Sequence, residues 1–281
     1  MKRIVILAVI LLACLASAAQ AQQQGNQNQN GQGAKVVYYD TFNERFLDLT
    51  KWLPWGPACV WGTTYECVRE IQNGRLRVAT RNIGAKDSDS GFQFTDNSLN
   101  FVNPNAINSI TADATLSQFN GVPCSTNVDQ LSIVVLKVTG LFFNTGTLDP
   151  NDDIGNDVYL WIDVSDPKTV RVGDWCPACV GMGAYMGTYP IGTPLTLSNT
   201  WDKTNHQFIA TVKITGDSGQ GKRFVVPYLT SDTTPPVNPS KELLTYVYSA
   251  NCSSAQTSTY FEAFFDNVII NAPPPAPITS N

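Results

Sequence analysis

The stretch REIQNGRLRVATRN at residues 69–82 decides the fold class of this chain. Polar and apolar residues alternate through residues 75–80, as they do in a strand with one buried face. The dipeptide Asn73-Gly74 stands directly before this alternation and is the dipeptide most typical of a two-residue hairpin turn. The stretch therefore predicts a β-hairpin.

The rest of the chain also reads as strands. Two segments alternate with the apolar sets Ile110, Ala112, Ala114, Leu116 and Phe208, Ala210, Val212, Ile214. Residues 131–138 (LSIVVLKV) are mostly apolar, which predicts a central strand covered on both faces. No segment shows a convincing 3.6-residue period with helix caps. Many strands separated by Gly, Asn, Asp and Pro turns indicate an all-β sandwich or barrel.

The two ends of this region carry a family resemblance. Residues 38–52 read YYDTFNERFLDLTKW, and residues 264–271 read FFDNVIIN. Together with the hairpin, they resemble the opening and closing strands of concanavalin A-like lectin/glucanase domains. The resemblance implies a jelly roll of two antiparallel sheets, with ligands usually bound on the concave face. It does not imply catalysis, because this superfamily contains hydrolases, lyases, lectins and adhesive modules.

The N-terminus predicts export. Lys2 and Arg3 precede an apolar run over residues 4–16, and Ala19-Gln20-Ala21 is typical of a signal-peptide cleavage site. We expect residues 1–21 to be the signal peptide of a secreted or cell-surface protein; lipoprotein anchoring at Cys14 is the alternative. No later stretch has about 18 consecutive apolar residues, so no membrane insertion is expected.

Composition limits the partners. Residues 22–281 hold 16 Lys and Arg (18 less Lys2 and Arg3) against 23 Asp and Glu, a net charge of −7. Nucleic acids and anionic membranes both require basic clusters, so neither is an expected partner.

Three segments make up the exported chain. Residues 22–34 form a Gln/Asn/Gly-rich arm that we expect to be disordered and that offers a route to self-association. Residues 35–271 are predicted to form one domain, and residues 272–281 form a Pro-rich tail.

The cysteines predict disulfides. Without Cys14, six remain, and an even number in an exported chain indicates a disulfide framework. They are Cys59, Cys67, Cys124, Cys176, Cys179 and Cys252. Six cysteines allow 15 pairings; Cys59 with Cys67 would close a short loop. Trp175-Cys-Pro-Ala-Cys179 resembles a redox motif, but no βαβ unit surrounds it, so structural disulfides are the preferred interpretation.

Residues 157–164 form the best candidate binding strand. Alternation places Val158, Leu160, Ile162 and Val164 in the core, and the opposite face carries Asp157, Tyr159, Trp161 and Asp163. Aromatic rings beside carboxylates on an open sheet face suit a glycan or another component of the extracellular matrix. If a loop covers this face, Tyr159 and Trp161 form a secondary core instead.

The sequence offers no catalytic pair on a single strand. Glucanases of this fold carry a Glu-x-Asp-x-x-Glu type motif, which is absent here. Asp157 and Asp163 would lie about 20 Å apart along one strand, and Glu262 and Asp266 about 13 Å apart. The expected function is therefore non-catalytic carbohydrate binding. A glycoside hydrolase using carboxylates from different strands and a structural or adhesive assembly protein are the alternatives.

Calcium is the one cofactor that the sequence indicates. The loop residues Asp149, Asn151 and Asp153 bring together hard oxygen ligands. Independently, the resemblance implies a structural calcium between the first and last strands, with Asp266 as a ligand and Asp40 as its neighbour.

Overall fold

The first and last motifs of the domain meet in space. In the computed structural model, the backbone of Asp40 pairs with Val268, and each residue's N–H donates to the other's carbonyl. The Asp40 carboxylate also accepts the indole N–H of Trp52 at 2.7 Å and the N–H of Phe42 at 2.8 Å. Trp52 and Phe42 are fully buried and stack on each other. The opening motif therefore closes one end of the core around a single carboxylate.

The structure describes residues 37–54, 65–83, 92–120, 137–147, 149, 151–162, 166, 168–180, 183–219, 221–250 and 258–272. Contacts group residues 38–281 into one unit. The predicted signal peptide and arm lie outside the described residues, as does the predicted tail beyond Ala272. Among the described residues, no helix is long and apolar enough to span a membrane.

The described residues form fifteen strands. They are β1 (Trp52–Pro54), β2 (Tyr65–Gln72), β3 (Arg75–Ile83), β4 (Phe92–Asp96), β5 (Leu99–Phe101), β6 (Ser109–Asn120), β7 (Lys137–Asn144), β8 (Gly155–Ile162), β9 (Thr169–Trp175), β10 (Tyr185–Pro190), β11 (Leu195–Asp202), β12 (Gln207–Ile214), β13 (Lys222–Pro227), β14 (Ser240–Ala250) and β15 (Ser258–Ile270). Two single 3-10 turns, Pro104–Ala106 and Lys203–Asn205, are the only helical elements in this part of the chain.

The strands form two antiparallel sheets. The first has the order β1-β5-β14-β7-β8-β9-β10, with β4 also paired to β14; the second has the order β13-β12-β11-β6-β15-β3-β2. Buried side chains from both sheets form one core cluster. The predicted class, a two-sheet antiparallel jelly-roll sandwich, is confirmed.

The local predictions can be checked strand by strand. Asn73 and Gly74 both have positive φ, 52° and 71°, as a type I′ turn between β2 and β3 requires. Ile110, Ala112, Ala114 and Leu116 are all buried, as predicted for β6.

Two predictions need correction or restriction. Ile214 was expected in the core with Phe208, Ala210 and Val212, but it is 45% exposed because it ends β12 beside the Gly216 turn. Residues 131–136 of the predicted apolar strand lie outside the described residues. The described strand, β7, begins at Lys137 and occupies the middle of the first sheet.

A polar contact joins the two sheets beneath the candidate site. Asn156 of β8 donates its side-chain N–H to the Asn199 side chain of β11 at 3.0 Å, and Asn199 donates back to the Asn156 carbonyl at 2.7 Å. Both residues are fully buried. A buried, reciprocal pair of this kind fixes the position of β8 against the second sheet.

Candidate functional site

Strand β8 has the alternation that its sequence predicts. Val158, Leu160 and Ile162 are buried in the core between the sheets. Asp157, Tyr159 and Trp161 therefore project from the opposite face of the first sheet. Asp163, the fourth predicted site residue, lies outside the described residues.

The aromatic residues of β8 are packed rather than open. Tyr159 and Trp161 are half-buried, with ring centroids 5.1 Å apart, and Trp161 makes an edge contact with Tyr185 of β10 at 6.4 Å. The Trp161 ring lies so close to Gly173 of β9 that a Cβ there would approach it to 2.9 Å. A glycine on the neighbouring strand thus allows Trp161 to lie flat along the sheet. The more exposed aromatic residues near β8 are Trp175 of β9, at 48%, and Tyr185 of β10, at 57%.

Four residues form a row across this face. Glu242 of β14 pairs with Phe142 of β7, Phe142 with Asp157 of β8, and Asp157 with Trp175 of β9. Directly paired residues project from the same face of a sheet, at strand spacings of about 4.8 Å. The row therefore brings two acidic residues and an exposed tryptophan together from four strands.

A cavity of about 190 Å³ opens beside this row. We call it the Trp175 pocket. Its walls include Phe142 and Asn144 of β7, Asp153, Asp157 and Trp175. The turn after β9 completes it with Pro177 and Ala178.

A disulfide fixes that turn. Cys176 and Cys179 are bonded to each other, and both are buried against a second apolar cluster that includes Phe143 and Ile154. A disulfide within the Cys-Pro-Ala-Cys segment is thus present, and its structural role stays a prediction. Cys67 is also disulfide-bonded. The predicted pairing with Cys59, and the positions of Cys124 and Cys252, lie outside the described residues.

Asp157 has the most unusual environment in the pocket. It is 5% exposed, and its Oδ1 atom has no hydrogen-bond partner in the protein. Burial, reinforced by the nearby charge of Glu242, raises the pKa of Asp157 to about 8. At neutral pH this side chain is therefore mostly a carboxylic acid, which donates a hydrogen bond as well as accepting one.

Tyr159 is perturbed by the same surroundings. Burial raises its pKa to about 12, with further contributions from the charges of Asp157 and Asp174. The phenol therefore stays protonated across the physiological range and remains a hydrogen-bond donor.

The predicted calcium loop is occupied by its own hydrogen bonds. Asp153 accepts from the N–H groups of Gly146 and Thr147 and from the side chains of Asn144 and Thr145. Asp149 accepts the N–H of Asn151 at 2.9 Å, and Asn151 is exposed. These carboxylates hold the turn between β7 and β8.

Asp40 and Asp266 also accept hydrogen bonds within the protein. Both Asp40 oxygens accept hydrogen bonds from N–H groups, and Asp266 Oδ1 accepts the N–H of Asn267 at 2.7 Å. Nowhere in the described ranges do three or more His, Cys, Asp or Glu side chains form a group that could hold a metal ion. Calcium binding stays a prediction, from the loop residues at one place and from the resemblance at the other.

Three residues of the site were missed by sequence reasoning. Trp175 was considered only as part of a cysteine motif, although its place at the end of an alternating segment, residues 169–175, carried a signal. The sequence around Phe142 and Glu242 gave no such signal, because their place beside Asp157 depends on the strand order of the sheet.

Comparisons with known proteins add a likeness in fold. A scan against protein-family models finds no match, and a search of curated proteins finds none either. Among solved structures, the chain is similar to the β-glucanase of Bacillus licheniformis, with 11% identity and a TM-score of 0.36 over 83% of this chain and 99% of that one. It is similar to lectin II from Ulex europaeus, with 10% identity and a TM-score of 0.32 over 79% and 97% of the two chains.

A third similar structure is an immunostimulatory antigen and pseudo β-1,3-glucanase of Mycobacterium tuberculosis. It shows 10% identity and a TM-score of 0.38 over 83% of this chain and 98% of that one. Likeness at this level leaves the activity of this chain undetermined.

Proposed function

We propose that the protein binds carbohydrate in the Trp175 pocket, on the outer face of the first sheet. The observation that carries the proposal is a half-exposed tryptophan beside a cavity in which a buried carboxyl oxygen lacks a partner. Buried polar atoms are almost always hydrogen-bonded, so an unpaired one at a cavity wall favours a ligand that completes it.

The chemistry of the pocket suits a sugar. The face of the Trp175 indole offers an apolar platform to the C–H side of a sugar ring, and the Asp157 carboxyl can exchange hydrogen bonds with hydroxyl groups. The cavity is of the size of one small ring, and the exposed Tyr185 lies beyond it on β10. The binding surface proposed from sequence along β8 thus shifts across the strands toward β9 and β10.

The experiment is a screen of immobilised polysaccharides with the full chain and with Trp175→Ala. We expect loss of at least tenfold in affinity in this variant, since a single stacked aromatic commonly dominates such a contact. Phe46→Ala is the matched control, because Phe46 is 74% exposed and precedes β1, at the opposite edge of the sheet. Equal binding by wild type and Trp175→Ala would contradict the proposal.

Glycoside hydrolysis is a second candidate function, favoured by the row of paired residues. Asp157 and Glu242 lie two strand spacings apart, roughly 10 Å between Cα atoms, which is compatible with the carboxyl separation of inverting glycosidases. The raised pKa of Asp157 is the property that a general acid needs.

Release of reducing ends from any polysaccharide that binds would support hydrolysis. Glu242→Gln should then abolish release while binding persists. Binding without release would leave the non-catalytic function as the account of this site.

A further inference from the structure

We propose that the Trp175 pocket selects uncharged glycans and discriminates against acidic ones, such as uronates and sulfated sugars. This inference rests on the proposed function and narrows the class of ligand. It follows from the signs of the charges around the pocket and from the hydrogen bonds that its polar groups make or lack.

Two acidic residues line the pocket and a third lies nearby. Asp153 and Asp157 line it, and Glu242 lies in the same cross-strand row, one strand beyond Phe142. None of the lining residues is a lysine or arginine. Because Asp157 is mostly protonated at neutral pH, the like charges that an anionic ligand would approach are those of Asp153 and Glu242, and no lining cation compensates them.

Hydrogen bonds fix the position of the acidic groups. Asp153 accepts four hydrogen bonds from the end of β7 and the turn that follows it, and Glu242 accepts the Ser240 hydroxyl at 2.5 Å. Ser240 in turn donates to Asn100 of β5 in an alternative geometry at 3.0 Å. Because these carboxylates are anchored, they cannot swing away from an incoming anion.

Among the described residues, three cationic side chains of β9, β13 and β14 lie outside the pocket lining. Arg171 shares the outer face but precedes Trp175 by four residues on β9, roughly 13 Å along the strand. Lys222 lies against Gly187 of β10, where a Cβ would meet its Nζ at 2.8 Å. Lys241 is buried and donates to the Pro104 carbonyl at 2.6 Å.

Asp157 itself favours a neutral ligand. Its unpartnered oxygen is more than nine-tenths buried at the cavity wall, so the ligand must supply the missing hydrogen bond. A sugar hydroxyl can donate to that oxygen or accept from the protonated carboxyl without bringing charge into the buried site. An acidic sugar adds a second buried charge beside Glu242, which is unfavourable in a low-dielectric site.

The test compares derivatives of one backbone. For each neutral polysaccharide that binds, the carboxymethylated form is measured against the hydroxyethylated form, which adds similar bulk without charge. At pH 7 and moderate salt we expect the carboxymethylated form to bind at least tenfold more weakly. We also expect Glu242→Gln, and separately 1 M NaCl, to reduce this difference several-fold.

Each outcome has a distinct meaning. Equal affinity for the two derivatives, with binding still dependent on Trp175, overturns the charge selectivity and leaves the proposed function standing. A difference that survives unchanged in Glu242→Gln and in high salt also overturns it, since repulsion is then not the cause. Binding of no polysaccharide, or binding indifferent to Trp175→Ala, overturns the proposed function and this inference together.

Discussion

Replacing Asp157 with asparagine should stabilise the protein in a pH-dependent way. The carboxyl has a pKa of about 8 in the folded protein against an ordinary value of 3.8, because it is buried and lies near Glu242. The folded state therefore keeps a proton that the unfolded state has already lost between these two values. Unfolding releases this proton, so the stability of the wild type falls as pH rises through that window.

The size of the effect follows from the shift. pH 7 is about three units above the pKa of Asp157 in the unfolded state. The wild type therefore loses roughly 4 kcal/mol of unfolding free energy, relative to a protein with a group there that does not titrate. Asparagine has nearly the same shape and no charge. We expect Asp157→Asn and wild type to have similar stability near pH 4 and the variant to gain several kcal/mol by pH 8.

Urea unfolding at pH 4, 6, 7 and 8 measures this difference. Glu242 and Asp174 are acidic groups close to Asp157 and Tyr159, but they are present in both proteins and largely cancel in the comparison. Asp217→Asn is the control, since Asp217 is an exposed turn residue and its replacement should give a small, nearly constant change. A difference between wild type and Asp157→Asn that does not vary with pH would refute the assignment of a buried, protonated carboxyl.

Three further predictions concern the scaffold. Lys241 is 3% exposed, and burial lowers its pKa to about 8. Lys241→Met should therefore stabilise the protein by up to about 3 kcal/mol at pH 7 in urea unfolding, and this gain should shrink as pH rises from 8 to 10.5. A gain in stability that stays constant over this pH range would contradict the prediction. Arg77 pairs with Glu262 at 2.7 Å and with Glu70 at 2.9 Å, so Arg77→Met should lower the free energy of unfolding by about 2 kcal/mol by leaving the buried Glu262 without its cation. Arg81→Met, which breaks an exposed pair with Glu66, should lower it by less than about 1 kcal/mol. Equal losses in the two variants would show that the Arg77 network adds no stability. Because the oxygens of Asp40 and Asp153 accept hydrogen bonds within the protein, millimolar Ca²⁺ or EDTA should leave the melting temperature unchanged. A rise in melting temperature with Ca²⁺ would contradict this and support calcium binding.

The fold could be predicted from sequence because its signals are local. Asn73-Gly74 adopts the turn that its φ preferences favour, and the apolar residues of β6 and β8 alternate into the core. Asp40 and Val268 form a bridge, so the two motifs that carry the family resemblance lie next to each other in the structure.

The site could be predicted only in part, because it is assembled across strands. The face of β8 that carries Asp157, Tyr159 and Trp161 followed from alternation. Alternation could not predict which of these aromatic residues would be exposed. Their exposure depends on Gly173 of the neighbouring strand, which leaves room for the Trp161 ring. Glu242 and Phe142 reach Asp157 through a strand order that brings distant segments together, and no pattern within either segment records that order.

The most direct test of glycan binding in the Trp175 pocket is an NMR titration of the tryptophan indole N–H signals with a polysaccharide that the protein retains. Trp52 and Trp201 serve as internal references, because their indole N–H groups donate to Asp40 and to the hydroxyl of Tyr228. The signal of Trp175, assigned with Trp175→Phe, should shift with ligand concentration while these two stay fixed. Saturable binding that leaves the Trp175 signal in place would contradict the account.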